Sequence, residues 1–103
     1  MGSPQYGRLF LDGRELADAG SIESRSLLWS ADGKWLAAQE LPWSRDDPKT
    51  RVVVFDARRR SKIAASPPRR GFASPLRFEP GLLVYRHKYS AGERELRLTI
   101  DKL

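Results

Sequence analysis

Apolar and polar residues alternate with a period of two along most of this chain, and that rhythm predicts strands. From Glu93 to Ile100, Leu96, Leu98 and Ile100 fall on one face while Arg97 and Thr99 fall on the other, as a half-buried strand requires. Leu83, Tyr85, His87 and Tyr89 likewise share one face of a strand over Leu82–Tyr89. Arg51–Asp56 differs, because Val52-Val53-Val54-Phe55 is apolar on both faces, the pattern of a central strand. Further strands are predicted over Tyr6–Leu11, near Glu15–Ala17, and over Leu27–Ser30, Lys34–Leu41, Lys62–Ala65 and Pro75–Phe78. Turns are marked by Asp12-Gly13, Asp32-Gly33, Arg58-Arg59-Arg60, Glu79-Pro80-Gly81 and Ala91-Gly92. Asp18–Arg25, Pro42–Lys49 and Ser66–Phe72 read as loops, the last two because of their prolines. No stretch of eleven residues carries helical spacing.

The strands recur. An apolar or β-branched run closes on Asp12, on Asp56 and on Asp101, at separations of 44 and 45 residues. Between them, Ser26–Ala37 is echoed by Ser74–Tyr85, with Gly33 and Gly81 separated by 48. A period in the forties built from short strands and glycine turns is the trace of a four-stranded propeller blade. The expected fold is therefore all-β, an antiparallel meander of about eight or nine strands in two blade-like sheets. Turn capping accounts for the three aspartates better than catalysis does.

The run Leu28-Trp29-Ser30-Ala31-Asp32-Gly33-Lys34-Trp35-Leu36-Ala37 resembles the TolB-type, WD40-like propeller repeat, with Ala31 where the family places proline. Val52–Asp56 and the basic turn after it resemble the third strand of such a blade and its exit. The second copy departs from the pattern, since Glu79-Pro80-Gly81 lacks the Asp-Gly pair. The resemblance implies about two blades, fewer than a closed propeller needs. Three arrangements stay open: a fragment of a larger propeller, a ring completed by association of copies, or a sandwich of two face-to-face sheets. In each, the N-terminal strand is expected to pair beside the C-terminal one.

The 103 residues suffice for one domain. With 40% hydrophobic and 31% charged residues, the composition is that of a folded chain. Residues 6–103 are taken as a single domain. Residues 1–5 are set apart, because Met1-Gly2-Ser3 reads as a vector remnant and leaves an upstream signal peptide or domain an open matter. No run of eighteen apolar residues predicts a membrane span. Cysteine is absent, which removes disulfides, thiolate metal sites and cysteine nucleophiles together. The excess of arginine over lysine fits a bacterial origin by association alone.

Charge is unevenly placed. Residues 1–48 hold five Lys/Arg against eight Asp/Glu, a net of −3, and residues 49–103 hold fourteen against five, a net of +9. A basic half of this kind steers acidic partners by its long-range field. Arg58, Arg59, Arg60 and Lys62, with Arg69 and Arg70, form the one charge cluster suited to a partner. Pro42–Lys49 adds Trp43, Arg45, Asp46 and Asp47, and a tryptophan in a polar loop is a binding anchor. Trp29 and Trp35 are read as packing residues. Asp46-Asp47 lacks the alternating oxygen ligands of a calcium loop. His87, the single histidine, stands between Arg86 and Lys88 and reads as solvated or interfacial.

These patterns contain no catalytic constellation, no phosphate loop and no cofactor motif. They point to a non-enzymatic protein-binding module of the small bacterial inhibitor or immunity type, by analogy of size and kind. Its expected contact surface is the loop Leu41–Lys49 with the basic turn 58–62, and its expected partner is an acidic protein surface. Nucleic acid or another polyanion is the competing partner, and association of copies is compatible with either.

Overall fold

The computed structural model describes residues 6–11, 13–16, 21–23, 25–41 and 49–100. Among these the fold is all-β and antiparallel throughout, with no helix. The strands are β1 (Tyr6–Gly7), β2 (Phe10–Leu11), β3 (Arg14–Glu15), β4 (Ser21–Glu23), β5 (Leu28–Trp29), β6 (Trp35–Leu41), β7 (Lys49–Asp56), β8 (Ser61–Ala65), β9 (Arg69–Arg70), β10 (Phe72–Glu79), β11 (Leu82–Tyr89) and β12 (Gly92–Thr99). Several of them are only two residues long.

Two sheets carry the architecture. The larger runs β1-β4-β6-β7-β8, with β5 beside β6 and β9 beside β7. The smaller is the meander β10-β11-β12. They face each other as a sandwich. Ala37, Val52 and Val54 of the first pack against Ala73, Leu83 and Tyr85 of the second, together with Ile100. The opposite face of the larger sheet is covered too. There Leu36, Ala38, Val53 and Phe55 pack with Leu9, Leu16 and Ile22, beside the small hairpin β2-β3. The unbroken Val52–Phe55 run has its reason here, because consecutive side chains enter two different cores and all four are fully buried. Each contributes roughly 1.5–3 kcal/mol by leaving water.

The two sheets repeat one plan. Hairpin β5-β6 turns through Gly33 at φ 75°, and hairpin β10-β11 turns through Gly81 at φ 77°. Both turns need a left-handed residue, which glycine adopts without steric cost. In each case a strand of eight residues follows, β7 in one and β12 in the other.

Three expectations fail in instructive ways. Asp18–Arg25 is not all loop, since β4 pairs with both β1 and the end of β6. Ile22 alone supplies its apolar anchor. The gap between β4 and β5 is closed by Ser26, whose hydroxyl donates to the Glu23 carbonyl and accepts the Gln39 N–H. Ser66–Phe72 is not all loop either. Ser66 N–H donates to the Val52 carbonyl, its hydroxyl accepts the Val52 N–H, and after two prolines β9 rejoins the edge of β7. The prolines, which lack a donor, occupy the skipped positions. Finally, β1 pairs with β4 and not with β12. A partner strand was already present within its own half.

Candidate functional site: the turn end of the sandwich

Three turns meet at one end of the molecule. The first spans Ser30–Lys34 and is built from side chains as much as backbone. The Ser30 hydroxyl donates to the Asp32 carboxylate at 2.8 Å and accepts the Trp35 N–H at 3.0 Å. The same Asp32 oxygen accepts the Lys34 N–H at 3.0 Å. These bonds, led by the one from Lys34 N–H, hold the Asp32 carboxyl below the usual carboxylate range. The local sequence Ser-Ala-Asp-Gly-Lys is thus a self-satisfying loop, with serine and aspartate supplying groups that a bare turn leaves open.

The second turn, Ala57–Arg60, joins β7 to β8. Asp56 caps it, its Oδ1 accepting the Arg58 and Arg59 N–H groups at 2.9 and 3.0 Å. The capping role read from the sequence holds at Asp56, whereas Asp12 and Asp101 lie outside the described residues. Arg60 closes the turn at φ 56°, the single non-glycine residue with positive φ among those described. The two turns touch, since Ala57 N–H donates to the Lys34 carbonyl at 2.9 Å. The third turn, Pro80-Gly81, comes from the smaller sheet.

Two clefts separate these turns. One, of about 440 Å³, lies between the first and second and is lined by Lys34, Trp35, Arg58 and Arg59 as well as the two capped aspartates. The other, of about 310 Å³, lies between the first and third and is lined by Trp35, Phe78, Pro80, Leu82 and Ile100 among others. Asp32 and Trp35 border both. Lys34, Arg58 and Arg59 are exposed, and among the described residues none of the three is held in an ion pair. Both aspartates already accept backbone donors. Three cations against two ionised carboxylates leave the larger cleft a formal excess of one positive charge, and a groove lined mainly by apolar side chains, with Asp32 and Glu79 among them, adjoins it across the Trp35 ring.

The predicted site residues divide into groups. Arg58, Arg59 and Arg60 stand at the turn end. Arg69 and Arg70 are exposed but pair with Thr50 and Lys49 at the far end of β7. Eight residues at about 3.3 Å each put roughly 23 Å between the ends of that strand. Leu41 and Lys49, the described flanks of the predicted binding loop, lie at that far end too. The structure therefore does not bring those flanks together with the 58–60 turn. Trp43, Arg45, Asp46 and Asp47 fall outside the described residues.

Lys62 faces inward. Its Nζ lies 3.2 Å from Glu40 Oε2, and Arg51 Nε lies 2.7 Å from Glu40 Oε1. Glu40 is 1% exposed, so both cations compensate a buried carboxylate. Trp29 is corrected from packing residue to surface residue. With Leu28 turned to the core of the sandwich, the next side chain points out at a short edge strand, and it is 46% exposed. Trp35 packs as expected, half-buried against the sandwich core.

His87 is also corrected. It is 2% exposed, its Nε2–H donates to the Arg70 carbonyl, and its ring tilts against Tyr89 at 5.0 Å. A carbonyl oxygen can only accept, which fixes the proton on Nε2. The residue staples β9 to β11. Among the described residues, no group of three or more His, Asp or Glu gathers in a geometry that suits a metal ion, and no helix is long and apolar enough to cross a membrane.

The contribution of Lys34 and Trp35 to a shared cleft was missed in the sequence. The signal was the Ser-x-Asp-Gly-Lys turn itself, which fixes where the lysine and the following tryptophan emerge. No protein-family model matches the chain, and neither a curated protein nor a solved structure matches it significantly.

Proposed function

We propose that this chain is a non-enzymatic binding module of the inhibitor or immunity kind, and that it engages an acidic protein surface through the turn end of its sandwich. One observation carries the reading: Lys34, Arg58 and Arg59 border a single cleft next to Trp35 and outnumber its two carboxylates, Asp32 and Asp56. Cations without ion-pair partners beside a half-buried aromatic match what protein interfaces use as anchors. The adjoining groove, lined by Trp35, Phe78, Leu82 and Ile100 with Asp32 and Glu79 among them, offers a seat for a leucine or phenylalanine whose acidic neighbours lie on the side of the cationic cleft. The likeness of Leu28–Ala37 to a propeller repeat supports a scaffold role, in which rigid strands display contact turns.

The same cations beside an aromatic suit a polyanion as the second reading, through phosphate contact and base stacking. One titration separates the two. The chain is mixed with a glutamate-rich peptide carrying leucine anchors, and separately with duplex DNA of matched charge, at rising salt. Peptide binding that persists at physiological salt supports the first reading. It is expected to weaken by at least about tenfold in the Arg58→Glu, Arg59→Glu double variant, equivalent to about 1.4 kcal/mol. Sequence-independent DNA binding that collapses with salt supports the second. Binding to neither probe sinks both.

A further inference from the structure

We infer that two copies of this chain pair through the outer edge of β12, extending the smaller sheet across a two-fold axis. This surface is separate from the turn-end cleft and does not depend on it.

The edge is long, regular and open. β12 pairs with β11 in unbroken register from Leu82↔Thr99 to Tyr89↔Gly92. On its other side no described strand pairs with it. The corresponding edge of the larger sheet is better defended. β8 is five residues long, and its register shifts where Ile63 stands as the extra residue. Bulges and short length are the usual protections of a free edge, and β12 has neither.

The direction of its backbone groups is fixed. Ile100 N–H donates to the Gly81 carbonyl at 2.8 Å, so the even-numbered residues of β12 bond inward to β11. By the alternation of an antiparallel ladder, Glu93, Glu95, Arg97 and Thr99 present their N–H and C=O groups outward. Left bare, these groups form a template for another strand.

The charges of β12 then choose the partner and the register. Antiparallel pairing with a second copy must oppose odd residues to odd residues for the ladder to form. Placing Leu96 opposite Leu96 of the second copy sets Glu95 against Arg97 and Glu93 against Thr99, on both sides of the axis. No like charges meet. Sliding by two residues in one direction opposes Glu95 to itself, and in the other Arg97 to itself, each costing a like-charge pair. Arg97 is exposed and makes no ion pair among the described residues. Glu95 already accepts Arg77 Nη2 at 3.0 Å, so the opposing Arg97 completes a row of alternating sign across the joint. On the inner face, Leu96 and Leu98 are half-buried against the sandwich core, and the same register sets Leu96 against its copy and each Leu98 against Arg94 of the second copy, so the joint adds one leucine pair at the axis. A self-complementary edge of this kind yields an isologous, closed dimer and not a fibre.

The test uses the full chain in light scattering coupled to size exclusion, over a concentration series. A dimer mass that falls to monomer on dilution is expected. Arg97→Glu sets like charges opposite each other twice and is expected to raise the dimer dissociation constant by at least about tenfold. Adding Glu95→Arg exchanges the signs across the joint; because Glu95 also accepts Arg77, the exchange is made together with Arg77→Ala and is expected to restore the dissociation constant of the Arg77→Ala chain. The substituted positions, 77, 95 and 97, carry exposed side chains, so circular dichroism is expected to be unchanged in these variants. A chain that is monomeric at every concentration overturns the inference. A dimer indifferent to Arg97→Glu, or one not rescued by the exchange, overturns it equally.

Discussion

β7 and β12 occupy the same place in two similar meanders, yet they live in opposite environments. Both are eight residues long, and both follow a hairpin that turns on a left-handed glycine. β7 is flanked by β6 on one side and by β8 and β9 on the other, and its two faces enter two cores. Among the described strands β12 has one neighbour, β11, and it has one face turned to a core. The difference begins at the strand ends. Asp56 caps a tight turn that returns the chain as β8, whereas no described strand follows β12. Length and hairpin geometry do not decide whether a strand is central; what the chain does next decides it. The sequences record this, with Val52–Phe55 apolar throughout and Glu93–Thr99 alternating.

The contrast is broken most severely by truncating β7. Phe55→Ala removes a fully buried ring and is expected to cost about 4 kcal/mol, against about 1–2 kcal/mol for Leu98→Ala on β12. Chemical denaturation of both variants checks the difference, and equal losses would remove the distinction between covered and open strands. The ion-pair networks give the next largest effect. Glu40→Ala leaves Arg51 and Lys62 without the buried carboxylate that both of them meet, and a loss of about 2–3 kcal/mol is expected on the same assay. Arg77→Ala, which breaks an equally dense network with Glu79 and Glu95 on the open sheet, is expected to change little, because solvent already screens those charges.

The smallest effect sharpens the comparison of the turns. The Asp32 carboxyl is held below its ordinary range by its hydrogen bonds. A lowered value means that the contribution is complete at neutral pH and disappears as the pH falls through the folded value, below about pH 4. The protection of the Lys34 amide, measured against its intrinsic exchange rate at each pH, is therefore expected to fall in acid, while the Ile100 amide, which donates to the Gly81 carbonyl and rests on no carboxylate, is expected to keep its protection. Parallel behaviour of the two turns would show that the carboxylate is incidental.

The strands with strong periodicity were legible from the residues alone. β6, β7, β11 and β12 bury enough apolar surface that alternation or its absence identifies them. β4 and β9 were not legible, because each is two or three residues with at most one apolar side chain, Ile22 in β4, stitched on by a neighbour that only the folded chain supplies. The site divides the same way. The arginine turn and its aspartate cap could be read directly. The pairing of that turn with Lys34 and Trp35 depends on β6 and β7 running side by side, a non-local fact. Lys62 and His87 misled for a related reason, since each finds its partner on a strand distant in sequence, Glu40 and the Arg70 carbonyl respectively.

Gly71 carries a consequence for how the two halves are tied together. It stands at φ 101°, where the chain leaves one sheet for the other, and a Cβ there would collide with the Lys88 carbonyl oxygen. Its own carbonyl accepts the Thr50 hydroxyl at 2.8 Å, and that hydroxyl accepts the Ala73 N–H at 2.9 Å. The passage between halves is thus clamped like a buckle, with no slack for a bulkier link. The relative phase of the two halves therefore rests on a single hydrogen atom standing in place of a side chain.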